Sequence, residues 1–460
     1  MKRVMISLLA AALLLWVRVE MAASARNDND AKAAPVAEAR ALSPAGYKSQ
    51  SQDVVVAPDG SINLVWIQGT TPVAQAVEHD HSQHSPGAAA GAAAMPKPSG
   101  NDLYFTRSND GGRTFSKPVR VNDVAGIARG VNSNTPKLAI SKSGAIHVVY
   151  AANRYLNPGD KPQVMDLHYS RSTDRGASFE AARPLNNDTD RQDYGFVTMG
   201  NAASHAFTSI AVALDGTLHA FWIDTRYMKS GNDANALYTV TSRDDGKTFS
   251  RERELFRDGI CACCQTDIAV AANGAMYLSW RHVYGNGARE TIVAKSADNG
   301  KTWTAPARLT PKDWIIEACP HKPGSLALDK QGRIFAAWYT EAEKPGGAYF
   351  TMSADGGKTF AAPQPLHLGA KLWDHAQVAV ANDGSVRVVW DAKVGEDRKL
   401  FTRVSTDHGK TLGAITEIET PAGNAAFPSI AITANGAIYL SWQQDNQVMF
   451  RALPTLVAQK

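Results

Sequence analysis

The chain has few cysteines, little net charge and no long apolar run beyond its first residues. Only four of 460 residues are cysteine, and 48 lysines and arginines face 44 aspartates and glutamates, a formal net charge of +4. A charge this small, without a run of basic residues, argues against a nucleic-acid-binding protein. The remaining composition, 44% hydrophobic and 20% charged, is that of a soluble globular protein.

The one strongly apolar stretch lies at the N-terminus. Lys2 and Arg3 precede VMISLLAAALLLWV, and a short polar region then ends in Ala23-Ser24-Ala25. This order predicts a secretory signal peptide over residues 1–25 and a flexible segment over 26–36. The apolar run is shorter than the ~20 residues that span a bilayer, so we expect cleavage and no span afterwards. The predicted location is periplasmic or secreted, where thiols form disulfides or hold metal.

A strand–turn–strand pattern recurs seven times along the chain. Each copy has a short apolar strand, a turn with glycine and an alternating strand that ends in Trp or Tyr. The copies are DVVVAPDGSINLVW, KLAISKSGAIHVVY, SIAVALDGTLHAFW, DIAVAANGAMYLSW, SLALDKQGRIFAAW, QVAVANDGSVRVVW and SIAITANGAIYLSW. Glycine supplies the positive φ of a tight hairpin turn, and the period-two alternation predicts strands on both sides.

A second pattern, S-x-D-x-G-x-[TS]-[FWL], follows the first in six of the seven units. The copies are SNDGGRTF, STDRGASF, SRDDGKTF, SADNGKTW, SADGGKTF and STDHGKTL, the last with Leu412 in place of an aromatic. A strand precedes each copy and a shorter one follows, so each unit is predicted to be a four-stranded antiparallel sheet of ~50 residues.

Radial repetition of such sheets predicts an all-β fold, a seven-bladed β-propeller of four-stranded antiparallel blades. The seventh unit ends after its third strand, and residues 34–46 resemble the missing fourth strand, so we expect an N-terminal strand to close the ring. The alternative is a six-bladed propeller, in which one of the seven units is not a blade of the ring. The predicted domain covers residues 37–460, with a His/Ala/Gly-rich insertion at 71–100.

The second pattern resembles the Asp boxes of the sialidase and BNR-repeat propellers, and the resemblance covers nearly the whole mature chain. Serine and aspartate of an Asp box bind backbone N–H groups of the turn, and its glycine takes the strained position. The six box aspartates are therefore interpreted as structural rather than catalytic: Asp110, Asp174, Asp244, Asp298, Asp355 and Asp407.

Three of the four cysteines lie together in DGICACCQTDI, and the fourth lies in EACPHKP. In such propellers the first strand of each blade lines the channel, and ligands bind where that strand begins. CACCQT leads into blade four and CPHKPG into blade five, so we expect the two segments to be neighbours at the channel mouth. His205, His282 and His375 occupy similar positions.

These cysteines have three interpretations. One is a disulfide from Cys319 to Cys261, Cys263 or Cys264. Another is a metal site of thiolate and imidazole, which suit copper, zinc or iron–sulfur chemistry. The third is a reactive thiol. The predicted metal ligands are Cys261, Cys263, Cys264, Cys319, His321 and His375. The insertion, which carries His79, His81 and His84, also favours metal, although it can equally be a solvated loop.

The resemblance also implies exo-sialidase chemistry. Three arginines of such an enzyme clamp the substrate carboxylate, a Tyr–Glu pair is the nucleophile and an aspartate is the acid/base. The residues that could take these roles are Arg154, Arg226, Arg281, Tyr227, Asp224 and Glu317. The F-R-I-P motif of sialidases is absent. Alternatively, the Arg-Tyr pairs recur only because the blades are sequence repeats, and each guanidinium stacks on an aromatic ring.

The leading functional hypothesis is an exported sialidase-like propeller with a polar ligand site where the first strands begin. Its ligand is expected to be an anionic glycan or another small polar molecule, with hydrolysis left open. The alternative is a periplasmic protein that binds copper or zinc through the Cys/His cluster. A third possibility is a scaffold for a protein partner. We expect a monomer.

Overall fold

The computed structural model describes residues 38–73, 100–130, 134–154, 164–187, 205–227, 235–317, 320–433 and 436–455, with the side chains of Arg154 and Val164 excepted. The predicted signal peptide, the segment 26–36 and most of the insertion, including its three histidines, lie outside these ranges. Within them, no helix is long and apolar enough to cross a membrane.

The described residues form seven antiparallel sheets arranged as blades. The strands of blades one to three are β2 (Tyr47–Val56), β3 (Ile62–Pro72), β4 (Asn101–Ser108), β5 (Val119–Arg120); β6 (Ala128–Arg129), β7 (Lys137–Ile140), β8 (Ile146–Arg154), β9 (Val164–Ser172), β10 (Arg183–Pro184); and β11 (His205–Val212), β12 (Leu218–Asp224), β13 (Ala236–Ser242), β14 (Arg253–Arg257). In blade two, β6 and β7 share the inner position and both pair with β8.

Blades four to seven repeat the same order. Their strands are β15 (Asp267–Val270), β16 (Met276–Val283), β17 (Arg289–Ser296), β18 (Ala307–Arg308); β19 (Ser325–Leu328), β20 (Ile334–Thr340), β21 (Gly347–Ser353), β22 (Gln364–Pro365); β23 (Lys371–Val380), β24 (Val386–Val394), β25 (Asp397–Ser405), β26 (Thr416–Ile418); and β27 (Ala425–Ile432), β28 (Ile438–Gln444), β29 (Gln447–Leu453).

An N-terminal strand, β1 (Arg40–Ala41), completes the seventh blade. It pairs antiparallel with β29, with Arg40 opposite Phe450 and Ala41 opposite Met449. The predicted seven-bladed propeller and its closure by the N-terminal segment are both confirmed, and the six-bladed alternative is wrong.

The second strand of each blade is buried on both faces because neighbouring blades stack against it. In β12 every residue is buried. The aromatic residue that ends the first repeat pattern is buried in all seven blades, at Trp66, Tyr150, Trp222, Trp280, Trp338, Trp390 and Trp442. Each such ring removes ~150–250 Å² from water, so these positions form the main apolar contacts between blades.

The Asp boxes make the hydrogen bonds expected of them. In blade four the hydroxyl of Ser296 accepts from the N–H of Gly300 at 2.8 Å, and Asp298 accepts from the N–H and hydroxyl of Thr302 at 2.8 and 2.6 Å. These bonds from Thr302 lower the pKa of Asp298 to about 2. The same set recurs in the other boxes, so the structural interpretation of the six aspartates is confirmed.

Box glycines also allow each turn to approach the preceding blade. A Cβ at Gly176 would overlap the ring of Phe105, and one at Gly112 would overlap the ring of Phe450. Both glycines have positive φ, which a side chain would strain as well. The Asp boxes therefore lock adjacent blades together on the face opposite the predicted ligand site.

Candidate functional site

Irregular segments open the inner strands at the channel mouth. In blades one, three, six and seven the register of the inner strand breaks just after the strand begins. Blade six has two such breaks, and Leu372 in the first of them has positive φ. In the break next to the regular ladder, the non-glycine residues with positive φ are Ser51, Phe207, His375 and Phe427. They occupy equivalent positions, each two residues before regular pairing resumes. Such left-handed residues are costly and are typical of functional sites.

The cysteine-rich segment is the wider version of this bulge in blade four. The N–H of Cys261 donates to the carbonyl of Arg281 at 3.0 Å, and the regular ladder resumes with Asp267 opposite Ser279. Six residues thus oppose a much shorter stretch of β16. CACCQT is therefore looped out at the channel mouth, as the repeat alignment predicts.

We call the side on which these bulges lie the mouth face. It comprises the equivalent residues of all seven blades, 51–53, 135–137, 207–209, 265–267, 323–325, 375–377 and 427–429. The opposite side, which carries the six Asp boxes, is called the hairpin face.

The mouth face has one three-residue segment in each blade, and in four blades the last residue of this segment bonds the next blade. In these four blades its side chain accepts from the backbone N–H one residue further along the next inner strand. These bonds are Leu138 to Asp53, Leu326 to Asp267, Val378 to Ser325 and Val54 to Ser429, at 2.7–3.3 Å. Inner strands are sheet edges with unpaired N–H groups, and these side chains satisfy some of them.

A small polar cavity of about 60 Å³ lies within the mouth face, lined by six of the seven blades. Among its lining residues are Gln52, Thr135, Gln265, His375 and Gln377. This volume holds a few water molecules at ~10–15 Å³ each, far below the ~300 Å³ of a site that encloses a small molecule. A ligand can therefore place one polar group in the cavity while the rest of it lies above the mouth.

His375 is the most strongly oriented of these side chains. Its Nδ1 lies 2.7 Å from Oδ2 of Asp391, a fully buried carboxylate that also accepts from Arg398 and from the N–H of Phe427. Burial lowers the pKa of His375, against the effect of the neighbouring Asp391 carboxylate. Nδ1 donates to Asp391, and Nε2 lies 3.4 Å from Oδ2 of Asp374, the carboxylate that also bonds Lys322.

The two lysines at the mouth, Lys137 and Lys322, are each paired with a carboxylate. The ammonium of Lys137 lies 2.9 Å from Asp53, and that of Lys322 bonds Asp374 and lies 5.1 Å from the centre of the Tyr339 ring. Desolvation lowers the pKa of Lys322. Asp267 also lines the cavity, and burial raises its pKa to about 6.

The sulfur atoms of Cys261, Cys263 and Cys264 form a buried cluster beside the channel. The Cys263 sulfur lies 3.6 Å from that of Cys261 and 3.9 Å from that of Cys264, and all three lie within 4.8 Å of one another. Cys263 is disulfide-bonded, whereas Cys261 and Cys264 are free. Cys319, the fourth cysteine of the chain, lies outside the described residues.

The loop into blade five lies against this cluster, as the topology predicts. Arg281 donates to the carbonyl of Lys322 at 3.1 Å, and the N–H of Lys322 bonds the Cys264 thiol. His321 lies beside the backbone of Cys263. His375 is held instead by Asp391 in blade six.

The cluster is electrostatically asymmetric. A hydrogen bond from the Cys264 thiol lowers the pKa of Cys261, against the effect of burial, and the guanidinium of Arg281 acts in the same direction. Burial, together with the Cys261 sulfur, raises the pKa of Cys264 well above its ordinary value. Cys261 is therefore the sulfur that carries negative charge most readily.

Three of the predicted catalytic residues, Asp224, Arg226 and Tyr227, lie together in blade three. Arg226 bonds both carboxylate oxygens of Asp224 at 2.7–2.8 Å and Glu252 at 2.6 Å, and it stacks 4.3 Å above the Tyr238 ring. Asp224 is fully buried.

The remaining predicted catalytic residues whose side chains the structure describes do not join this ion pair. The hydroxyl of Tyr227 lies 2.9 Å from that of Tyr238. Arg281 is buried next to the cysteine cluster and donates to three carbonyl groups. Glu317 is exposed in the loop after blade four, and the Arg154 side chain lies outside the described part of the chain. The catalytic assignments stay predictions.

Sequence reasoning missed Asp391, Lys322 and Gln377. Asp391 directly follows the aromatic that ends the repeat pattern of blade six, where other copies have Ile67, Arg281 or Tyr339. A carboxylate at this otherwise variable and buried position is the signal that could have identified it.

Residues 264–460 match the family model described as the BNR repeat-like domain. The chain is a seven-bladed β-propeller whose residues 264–460 are similar to the BNR repeat-like family. No curated protein sequence matches it significantly.

Several solved propellers resemble this chain. A Dyadobacter fermentans protein of unknown function has 14% identity and a TM-score of 0.51, covering 91% of this chain and 99% of its own. A PL25 ulvan lyase bound to -[GlcA(1-4)Rha3S]- has 13% identity and a TM-score of 0.54, covering 89% and 95%. The Hadza microbial sialidase Hz136 has 16% identity and a TM-score of 0.48, covering 77% and 73%. At these identities the likeness of the first two concerns the fold alone.

Proposed function

We propose that this chain is an exported carbohydrate-binding propeller that holds one end of a glycan at its mouth face. The observation that carries the proposal is the polar cavity lined by six blades, with the imidazole of His375, oriented by Asp391, in its lining. Carboxamide, hydroxyl and imidazole groups supply the mixed donors and acceptors that sugar hydroxyls require.

Binding is better supported than hydrolysis. A guanidinium that clamps a substrate carboxylate must present free N–H groups. Those of Arg226 are directed to Asp224 and Glu252, and both terminal nitrogens of Arg281 donate to backbone carbonyls. Either arginine would have to leave buried partners to meet a substrate, so we do not propose a sialidase reaction.

The paired charges of the mouth favour recognition of a hydroxyl-rich sugar end, with anionic groups of the glycan above the cavity. The fold shared with a lyase solved with a glucuronate-containing glycan supports a glycan as the ligand class. The predicted signal peptide supports export.

The test uses the mature chain on immobilised sialylated, uronate-containing and neutral oligosaccharides, followed by calorimetry with the strongest ligand. We expect Gln377→Ala and His375→Gln to weaken binding at least tenfold. Lys358→Ala, an exposed change on the hairpin face, is the matched control and should have no effect. Absence of glycan binding, or binding that the mouth variants leave unchanged, would overturn the proposal, and turnover of a fluorogenic sialoside would show that hydrolysis occurs.

A further inference from the structure

We propose that Cys261, Cys263 and Cys264 form a thiolate site for a thiophilic metal ion, and that the disulfide at Cys263 controls whether the site is complete. This inference is independent of glycan binding, because it concerns a buried cluster beside the channel rather than the cavity in the mouth face.

The sulfur spacing fits a tetrahedral ion. Zinc binds thiolates at about 2.3 Å, so two sulfurs on one tetrahedral zinc lie about 3.8 Å apart. The distances from the Cys263 sulfur, 3.6 Å to Cys261 and 3.9 Å to Cys264, lie on either side of this value. Because the third pair is within 4.8 Å, three corners of the tetrahedron are nearly in place.

The backbone holds the three sulfurs in this arrangement. All three cysteines lie in the wide bulge between Ile260, which pairs with His282, and Asp267, which resumes the ladder of β15. Each is at most 1% exposed. A site assembled by a six-residue bulge with both ends fixed needs little reorganisation to bind an ion.

The surroundings compensate the charge that such a site would carry. Three thiolates on a divalent ion leave one net negative charge, which needs a partner when it is buried. Arg289 approaches the Cys261 sulfur at 3.5 Å, and Arg281 is 1% exposed in the same cluster. The Nε of Arg281 has no hydrogen-bond partner among the described residues. One buried and one half-buried guanidinium group therefore lie beside the sulfurs, where they can balance the negative charge of a metal–thiolate site.

The oxidation state of Cys263 sets the number of available ligands. A disulfide sulfur is not a thiolate, so the present state offers only Cys261 and Cys264. A dithiol reductant would transfer two electrons and two protons to the disulfide, would itself become a disulfide, and would release two thiols, that of Cys263 and that of its disulfide partner. The ion would then displace protons from the three thiols as it binds. Metal occupancy would thus depend on reduction.

The experiment measures Zn²⁺ uptake by the mature chain in two states, one as purified and one reduced with a dithiol and desalted without oxygen. His79, His81 and His84 are replaced by alanine throughout, so that the insertion contributes no binding. We expect one tightly held ion per reduced chain and at least tenfold weaker binding in the oxidised state. Equal uptake in both states, or no uptake in either, would overturn the proposal.

Two further measurements identify the ligands. Cys261→Ser and Cys264→Ser should each abolish tight uptake, whereas Ala262→Ser, which adds a hydroxyl in the same bulge without removing sulfur, should retain it. Because a serine variant can fail to fold, the reduced parent chain is also alkylated with and without Zn²⁺ and its modified cysteines are mapped. Protection of Cys261, Cys263 and Cys264 by Zn²⁺ supports the site, and unchanged labelling contradicts it.

Discussion

The hairpin face and the mouth face of the propeller use the repeat in opposite ways. On the hairpin face six turns carry the same residues and make the same hydrogen bonds. On the mouth face the backbone position is shared, but the side chains change from blade to blade, for example from Gln52 in blade one to Thr266 in blade four and Ala376 in blade six. Uniform chemistry therefore maintains the fold, and varied chemistry on a shared backbone marks the surface available for function.

Both faces also join neighbouring blades, but by different interactions. The hairpin face places a glycine beneath a ring of the preceding blade, as Gly176 does with Phe105. The mouth face uses polar side chains, as Asp267 does with the N–H of Leu326. Polar groups in the mouth thus contribute to ring closure as well as to ligand recognition, and variants there must be checked for stability.

The largest effect is expected for Asp391→Ala, which removes the carboxylate that orients His375 of the mouth face. The substitution leaves His375, Arg398 and the N–H of Phe427 without their shared acceptor in a buried site. Removal of one partner of a buried ion pair costs about 3–5 kcal/mol. Urea unfolding measures the loss, and a cost no greater than that of an Asp-box aspartate would contradict the role given to this carboxylate.

Glu290→Gln tests the sign of the pH dependence near the mouth. Burial raises the pKa of Glu290 to about 7 in the folded chain, above its ordinary value of 4.5. Its stabilising contribution is therefore complete at low pH and is lost as pH rises through about 7. We expect the glutamine variant to be more stable than the parent at pH 9, by at most about 3 kcal/mol, and to show no advantage at pH 5.

Thermal unfolding of both proteins across this pH range provides the measurement. A stability difference that does not change between pH 5 and pH 9 would show that Glu290 remains ionised in the fold.

Two glycine variants separate backbone strain from packing on the hairpin face. Gly60 and Gly176 have nearly the same φ, +82° and +85°, but a Cβ at Gly60 meets no atom within 4 Å, whereas one at Gly176 overlaps the Phe105 ring. We expect Gly176→Ala to be less stable than Gly60→Ala by about 1–3 kcal/mol, the usual cost of overpacking. Equal losses in denaturant unfolding would mean that φ alone requires glycine in the Asp box.

The sequence predicted the hairpin face well because its determinants are local. Each Asp box contains both partners of its hydrogen bonds within a few residues, so a motif is enough. The blade number and the closure by residues near Arg40 followed from counting repeats and finding one strand short.

The mouth face could be predicted only in part, because its contacts join residues far apart in the chain. Topology placed Cys261 near the loop of blade five, but it could not show that Cys263 alone of the three is oxidised or that Asp391 orients His375. Nor could it show that Arg226 is held by Asp224 and Glu252, because the same Arg-Tyr spacing suits a substrate clamp or an internal ion pair.

The smallest effect, and the one that completes the contrast, is expected for Asp174→Ala in the box of blade two. Although partial burial would raise the pKa of Asp174, hydrogen bonds from Ser178 lower it to about 2. A carboxylate whose pKa is lowered in the folded chain stabilises the fold above its unfolded pKa of 3.8, and this contribution is lost as pH falls through about 2.

Because the Asp174 side chain is exposed, we expect Asp174→Ala to cost only about 1 kcal/mol at pH 7. The cost should shrink between pH 4 and pH 2, a range in which Glu290→Gln changes nothing, so acid weakens the hairpin face while alkali weakens the mouth. If unfolding shows the cost of Asp174→Ala to be independent of pH in this range, the two faces do not differ in the way that their carboxylates indicate.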